Sequence, residues 1–249
     1  MRAMKSLRIV LIALMFTCAC ASARAQVLLE EGKIKLNVTP GENIAGKLML
    51  HNTSDQNVNM KVYWEDFVYT PPFDGSKKFL PKGTTDHSIA GWVNVPMRTL
   101  TFAPYAKKTV SYSINVPDDI RMGHHGVLFF EKESFEVEST KGLNVVTRVG
   151  CLFFIEPVNK SKRVNMTNFR FTGKELTADF SNQGDVVLIP DGIFYIIDQE
   201  GMVYDRGEIN KIYLPPGETG EYKMAFNQGL NSGFYTLVMT VDLDDDDVL

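Results

Sequence analysis

The chain has 249 residues, 44% of them hydrophobic and 11% aromatic, and carries a formal charge of −4. That is enough apolar material for two packed domains of ordinary size, and it excludes a disordered chain. The mildly acidic balance argues against nucleic acid as a partner, because its phosphates would be repelled.

At the N-terminus Arg2, Lys5 and Arg8 precede an apolar run from Ile9 to about Phe16, and small residues follow up to Ala23-Arg24-Ala25. This is the pattern of an export signal over residues 1–25, cleaved before Gln26. The run is too short to anchor in a bilayer. Lipid attachment at Cys18 or Cys20 is the rival reading of the same segment. Cleavage moves the formal charge to −8 and removes two of the three cysteines, leaving Cys151 with no disulfide partner. Cys151 then reads as a small buried hydrophobe. No later stretch looks transmembrane, so the expected location is the periplasm or the cell surface, with no stable membrane span.

From Gln26 onward, short apolar runs alternate with turn residues and no helical period is sustained, which predicts an all-β protein. Strands are expected over 33–39, 45–52 and 58–68, the last with Val62, Trp64 and Asp66 on one side and Tyr63, Glu65 and Phe67 on the other. Residues 70–86 read as a long polar connection and a candidate binding loop. Strands over 88–95, 99–102, 108–116 and 126–131 follow. Residues 132–143 read as the mobile acidic tip of a hairpin.

The stretch 144–157, NVVTRVGCLFFIEP, alternates most cleanly. Val145, Thr147, Val149, Cys151, Phe153 and Ile155 share a core face, and Val146, Arg148, Gly150, Leu152, Phe154 and Glu156 share the other. That second face is either covered within the protein or offered to a partner. A basic linker at 159–163 leads to a second set of strands over 164–172, 175–181, 192–198, 203–212, 220–227 and 234–242.

The two halves repeat. Leu100, Phe102, Pro104, Val110, Tyr112 and Ile114 match Ile212, Leu214, Pro216, Tyr222, Met224 and Phe226 at a constant offset of 112. Two tandem immunoglobulin-like β-sandwiches explain this, with domains over 26–158 and 159–249. Trp64 and Trp92 are the expected large core fillers of the first.

No catalytic set is legible, and the chain reads as non-enzymatic. His51, His87, His124 and His125 lack metal-site spacing, and adjacent side chains at His124-His125 point apart in an extended chain. No phosphate loop or nucleophile elbow occurs, and no cofactor is implied. The run Asp242 to Asp247 lacks the glycine and the glutamate of a calcium loop, and reads as a solvated tail that protects a strand edge. Tyr69, Phe73 and Phe79 either offer aromatic faces to a glycan or fold back over the end of the sandwich.

The segment HSIAGWVNVPMRTLTFAPYAKKTVSYSINVPDDIRMGHHGVLFFE, residues 87–131, resembles the core of the bacterial periplasmic pilus-chaperone-like superfamily. It is especially similar to the peptidoglycan-binding domain of the WxL-interacting surface proteins. LNVTPGENIAGKLMLHNTSDQNVNMKVYWEDF resembles the first strands of both, with Asn52 in the usual asparagine position. The resemblance implies β-strand addition to an envelope or surface protein, with pilus assembly as its setting, and places Val146, Arg148, Leu152 and Phe154 at the partner face. The alternative is a peptidoglycan or carbohydrate binder using Tyr69, Phe73 and Phe79. Pilus chaperones anchor a subunit's terminal carboxylate with a basic pair. Here the matching places are Leu36 and Leu152, with Lys35 and Arg148 nearby.

Overall fold

A computed structural model describes residues 26–133 and 146–243. The export signal, most of the expected hairpin tip and the run Asp244 to Asp247 lie outside the described residues. Within them, sixteen strands and no helix are formed: β1 (Val27–Leu29), β2 (Lys33–Val38), β3 (Asn43–Asn52), β4 (Val58–Tyr69), β5 (Lys77–Pro81), β6 (Val93–Asn94), β7 (Thr99–Phe102), β8 (Lys107–Asn115), β9 (His124–Lys132), β10 (Arg148–Pro157), β11 (Val164–Phe171), β12 (Glu175–Asn182), β13 (Asp191–Ile197), β14 (Val203–Glu208), β15 (Thr219–Ala225) and β16 (Thr236–Asp242).

They build two immunoglobulin-like sandwiches in tandem. The first packs the sheet β1-β3-β8-β6 on the sheet β2-β10-β9-β4-β5, with β7 also paired to β4. The second packs β11-β12-β15 on β14-β13-β16. β2 runs parallel to β10, whereas β1, just before it, runs antiparallel to β3. The chain therefore changes sheets across Glu30–Gly32, a feature that later exposes part of β10.

Alternation decides the first core. Cys151, Phe153 and Ile155 of β10 are fully buried with Val62, Leu100, Phe102, Val110 and Ile114. Burial pushes the Cys151 thiol up to about 12, so it is an inert thiol at neutral pH. Trp64 and Trp92 pack against this core from its margin and stay half-buried; the sheet centres are filled by Phe102, Phe130 and Phe153 instead.

The opposite parity of β4, β9 and β10 is covered too. Phe67, Tyr69, Val127, Phe129 and Phe154 join Phe180, Phe194, Leu214, Tyr222 and Met224 in a second apolar cluster. The core of the second sandwich thus continues onto the outer face of the first. Tyr69 stacks on Tyr213 at 5.4 Å, and the Tyr213 N–H donates to the Phe73 carbonyl at 2.7 Å. Gly75, at φ +99, lies against the Tyr213 ring, and a Cβ there would stand 2.9 Å from it. Lys77 lies over the Tyr69 ring at 4.9 Å and the Tyr213 ring at 5.6 Å.

Three sequence expectations change. Residues 70–86 are no plain connection, because β5 pairs with the far half of β4 from Glu65↔Pro81 to Tyr69↔Lys77. Its Lys77-Lys78 start and flanking turn residues hid it, and β4, at 12 residues, needs a partner there. The expected strand over 88–95 shrinks to Val93–Asn94 and one bridge, Ser88↔His125. The strand from Val203 stops at Glu208, where Ile209 turns its N–H to Gly192.

The loop after β5 is fixed by a buried carboxylate. Asp66 accepts the Thr84 N–H at 2.8 Å, the Thr85 N–H at 3.0 Å and the Ser88 hydroxyl at 2.7 Å. Burial alone would raise its pKa, but the donors of Thr85, Ser88, Gly83 and Thr84 outweigh burial and hold the carboxyl below its ordinary value. A depressed acid contributes stability that is present above its unfolded value, about 3.9, and is lost as pH falls through the folded one. Asp66→Asn is therefore expected to lower the melting temperature at pH 7. The gap to the parent should narrow as pH falls below about 3.9, the unfolded value, in melts run across pH.

Candidate strand-binding site

The geometry of β10 divides it in two. β2 pairs with it only from Leu152↔Lys33 to Pro157↔Val38, whereas β9 pairs along its whole length, from Arg148↔Glu131 to Ile155↔His124. The Leu152 N–H donates to Gly32 on the β2 side, and the Thr147 carbonyl accepts from Lys132 on the β9 side. By the two-residue period, Arg148 and Gly150 turn their backbone N–H and C=O groups toward the β2 side, where no strand among the described residues reaches them. Because β1 has crossed to the other sheet, a half-edge of four residues, Arg148 to Cys151, is open for pairing.

Side chains set the surroundings of this half-edge. Arg148 ion-pairs with Glu65 at 3.2 Å and donates to the Tyr63 hydroxyl at 3.2 Å. Tyr63 in turn donates to Glu131 at 2.6 Å. The guanidinium lies 3.9 Å over the Phe129 ring and 5.1 Å from the Phe79 ring. At the strand's start, Gln26, Val27, Val58, Met60, Lys132, Thr147, Arg148 and Val149 enclose a cavity of ≈ 140 Å³.

The residues singled out from sequence are not one surface. Val146 is 45% exposed, just ahead of β10, and Arg148 stands on the open half-edge. Leu152 is half-buried beside Lys33 and already paired on both sides. Phe154 is only 6% exposed, inside the second cluster with Phe67 and His125 at 6.0 Å each. The face read as open is therefore covered at its C-terminal half by the molecule itself.

The aromatic platform also separates. Tyr69 and Phe73 are buried in the joint between the sandwiches, while Phe79 is 38% exposed. Two of the three rings face the second sandwich and have no face to offer a glycan. Lys35 is engaged as well. Its ammonium lies 3.5 Å from the buried Glu156, which Lys160 also reaches at 2.6 Å. Sequence reasoning missed Glu156 as a buried anion, although Lys160, four residues on, was a signal. It also missed Lys77 and Tyr213, whose pairing depends on how the halves meet.

Among the described residues no group of three or more His, Cys, Asp or Glu side chains is placed to hold a metal.

No family model matches this chain, and no curated protein matches it. Solved structures do. The crystal structure of the class 5 fimbriae chaperone CfaA is similar at a TM-score of 0.53 and 14% identity, over 87% of this chain and 100% of that one. A chain from the chaperone–tip adhesin complex of CFA/I fimbriae biogenesis is similar at 0.53 and 14%, over 86% of this chain and 98% of that one. At such identity the likeness establishes the fold, two immunoglobulin-like sandwiches in the arrangement of fimbrial chaperones. It lends no support to the finer likeness to WxL-interacting proteins.

Proposed function

We propose that this protein is an exported, non-enzymatic chaperone-like protein that binds a fimbrial or other envelope protein in the periplasm by β-strand addition. The division into domains at 158/159 belongs to the same reading. The observation that carries it is the open half-edge of β10. Arg148 and Gly150 supply two N–H and two C=O groups in ladder geometry, on a strand otherwise held on both sides. An added strand satisfies them and draws affinity from backbone bonds, and nearby side-chain pockets select its sequence. The burial of Tyr69 and Phe73 removes the ground for a peptidoglycan platform.

Arg148→Pro tests the edge, because it deletes an outward N–H while the β9 side of that residue donates nothing. Arg148→Ala removes only the side chain. With a partner captured from the envelope fraction by the full chain, the proline variant is expected to bind at least about 10-fold more weakly, and the alanine variant within about threefold of the parent. Equal binding by all three, with unchanged melting, would exclude this edge.

A further inference from the structure

Three histidines meet where the sandwiches join. The His87 ring stacks on His125, with centroids 5.6 Å apart and planes at 12°, and meets His124 at 5.9 Å. The His87 carbonyl accepts the His125 N–H at 2.9 Å, and its Nδ1 lies 2.9 Å from the Gly123 carbonyl. His124 packs on Trp92 at 4.3 Å, and its buried Nδ1 has no partner. His125 Nε2 lies 3.1 Å from the Phe67 carbonyl. A carbonyl only accepts, so Nε2 carries the proton of a neutral ring. The preceding residue, Gly123, donates its N–H to Asp185 of the second sandwich at 2.7 Å and lies against Val186.

We propose that His87, His124 and His125 form an acid-operated latch: protonation of His124 and His125 frees residues 123–125 from Asp185 and Val186 and parts the two sandwiches. The groups facing the cluster give such a charge little relief. From β4 come Phe67 and Asp66, the latter committed to Thr84, Thr85 and Ser88; from β10 comes Phe154; from the stretch before β6 come Trp92 and His87 itself; and from the turn before β9 comes Asp119. Charging the adjacent His124 and His125 together adds like-charge repulsion in a confined space.

Burial, and after it the neighbouring His87, push both His124 and His125 down to about 4. For a base depressed in this way, the closed state is favoured above the free value, about 6.5. That advantage is lost as pH falls toward the folded value. Opening then uncovers Phe67, Phe129 and Phe154 together.

The test uses the full chain and small-angle scattering from pH 7.5 to 4, with far-ultraviolet circular dichroism alongside. The parent is expected to expand between about pH 6 and 4 while keeping its strand signal, with the open-to-closed ratio rising on the order of 10³-fold. The double variant His124→Gln, His125→Gln is expected to stay compact. If that variant does not fold, imidazole proton resonances of the parent serve instead, and expansion must track their protonation. A parent that stays compact to pH 4, a variant that expands identically, or expansion in step with loss of all strand signal would each overturn the latch.

Discussion

Phe154→Asp is expected to destabilise the protein by about 5 kcal/mol, enough to unfold much of it at 37 °C, before any question of partner binding arises. Truncating a buried phenylalanine costs about 3–5 kcal/mol through lost transfer energy and the cavity left behind. Phe154 is in this class, buried against Phe67 and His125 and continuous with the core of the second sandwich. A carboxylate adds a desolvation cost. Lys33, whose ammonium stands 5.8 Å from the Phe154 ring, offsets part of the charge but none of the missing contacts. Phe154→Leu is expected to cost only about 1–2 kcal/mol, since it keeps most of the volume. Chemical denaturation of the two variants separates the cases. A stable, compact Asp variant would mean that the second sandwich does not cover this face in solution.

The second large effect concerns a pair of buried asparagines, one per sandwich. Asn52 Nδ2 donates to the Gln56 and Ala103 carbonyls at 2.8 and 2.9 Å, and its Oδ1 accepts the Ser54 N–H. Asn182 Nδ2 donates to the Val186 and Leu214 carbonyls at 2.8 and 2.9 Å, and its Oδ1 accepts the Gly184 N–H. The backbone N–H groups of the two asparagines reach Ala106 and Glu218, which stand at the same offset of 112 as the repeat. Each side chain thus ties the end of one strand to the backbone of two neighbouring segments. Asn182→Leu leaves the Val186 carbonyl and the Gly184 N–H without this partner, takes one of its two donors from the Leu214 carbonyl, and is expected to cost about 3–5 kcal/mol. Asn182→Asp is expected to be as damaging at pH 7, because a carboxylate cannot donate to two carbonyls. It should recover partly as the acid protonates and regains one donor. Thermal melts of both variants at pH 7 and pH 4.5 check this. An Asp variant that loses stability steadily toward acid would contradict the bonding scheme.

The legible and the hidden parts of the molecule follow physical lines. Period-two alternation placed Cys151, Phe153 and Ile155 in a core before any coordinates, because one face of a strand must be dry. The offset of 112 likewise placed β8 and β15 in equivalent positions. Edges and half-buried strands were hard to read. β5 carries two lysines and β6 only two residues, and such segments owe their strand form to a neighbour's unpaired backbone and to no preference of their own.

The site shows the same division. Sequence singled out Val146, Arg148, Leu152 and Phe154 as one face, and within β10 Arg148, Leu152 and Phe154 share one parity of the strand. It had no means of finding that β2 closes the edge from Leu152 onward and that the second sandwich covers Phe154. It missed the histidine cluster, because His87 is separated in sequence from His124 and His125 and is brought to them only by tertiary contacts, among them the bridge Ser88↔His125.

By itself, then, the sequence determined the all-β class, the tandem repeat, the core face of β10 and the absence of a recognisable catalytic motif. Each of these depends on local periodicity and residue chemistry. Which half of β10 stays open, which aromatic rings face the joint and which titratable groups meet there were decided only by tertiary structure. A second apolar face is the same string of residues whether it meets solvent, a partner or another part of its own chain, and only the packing chooses among them.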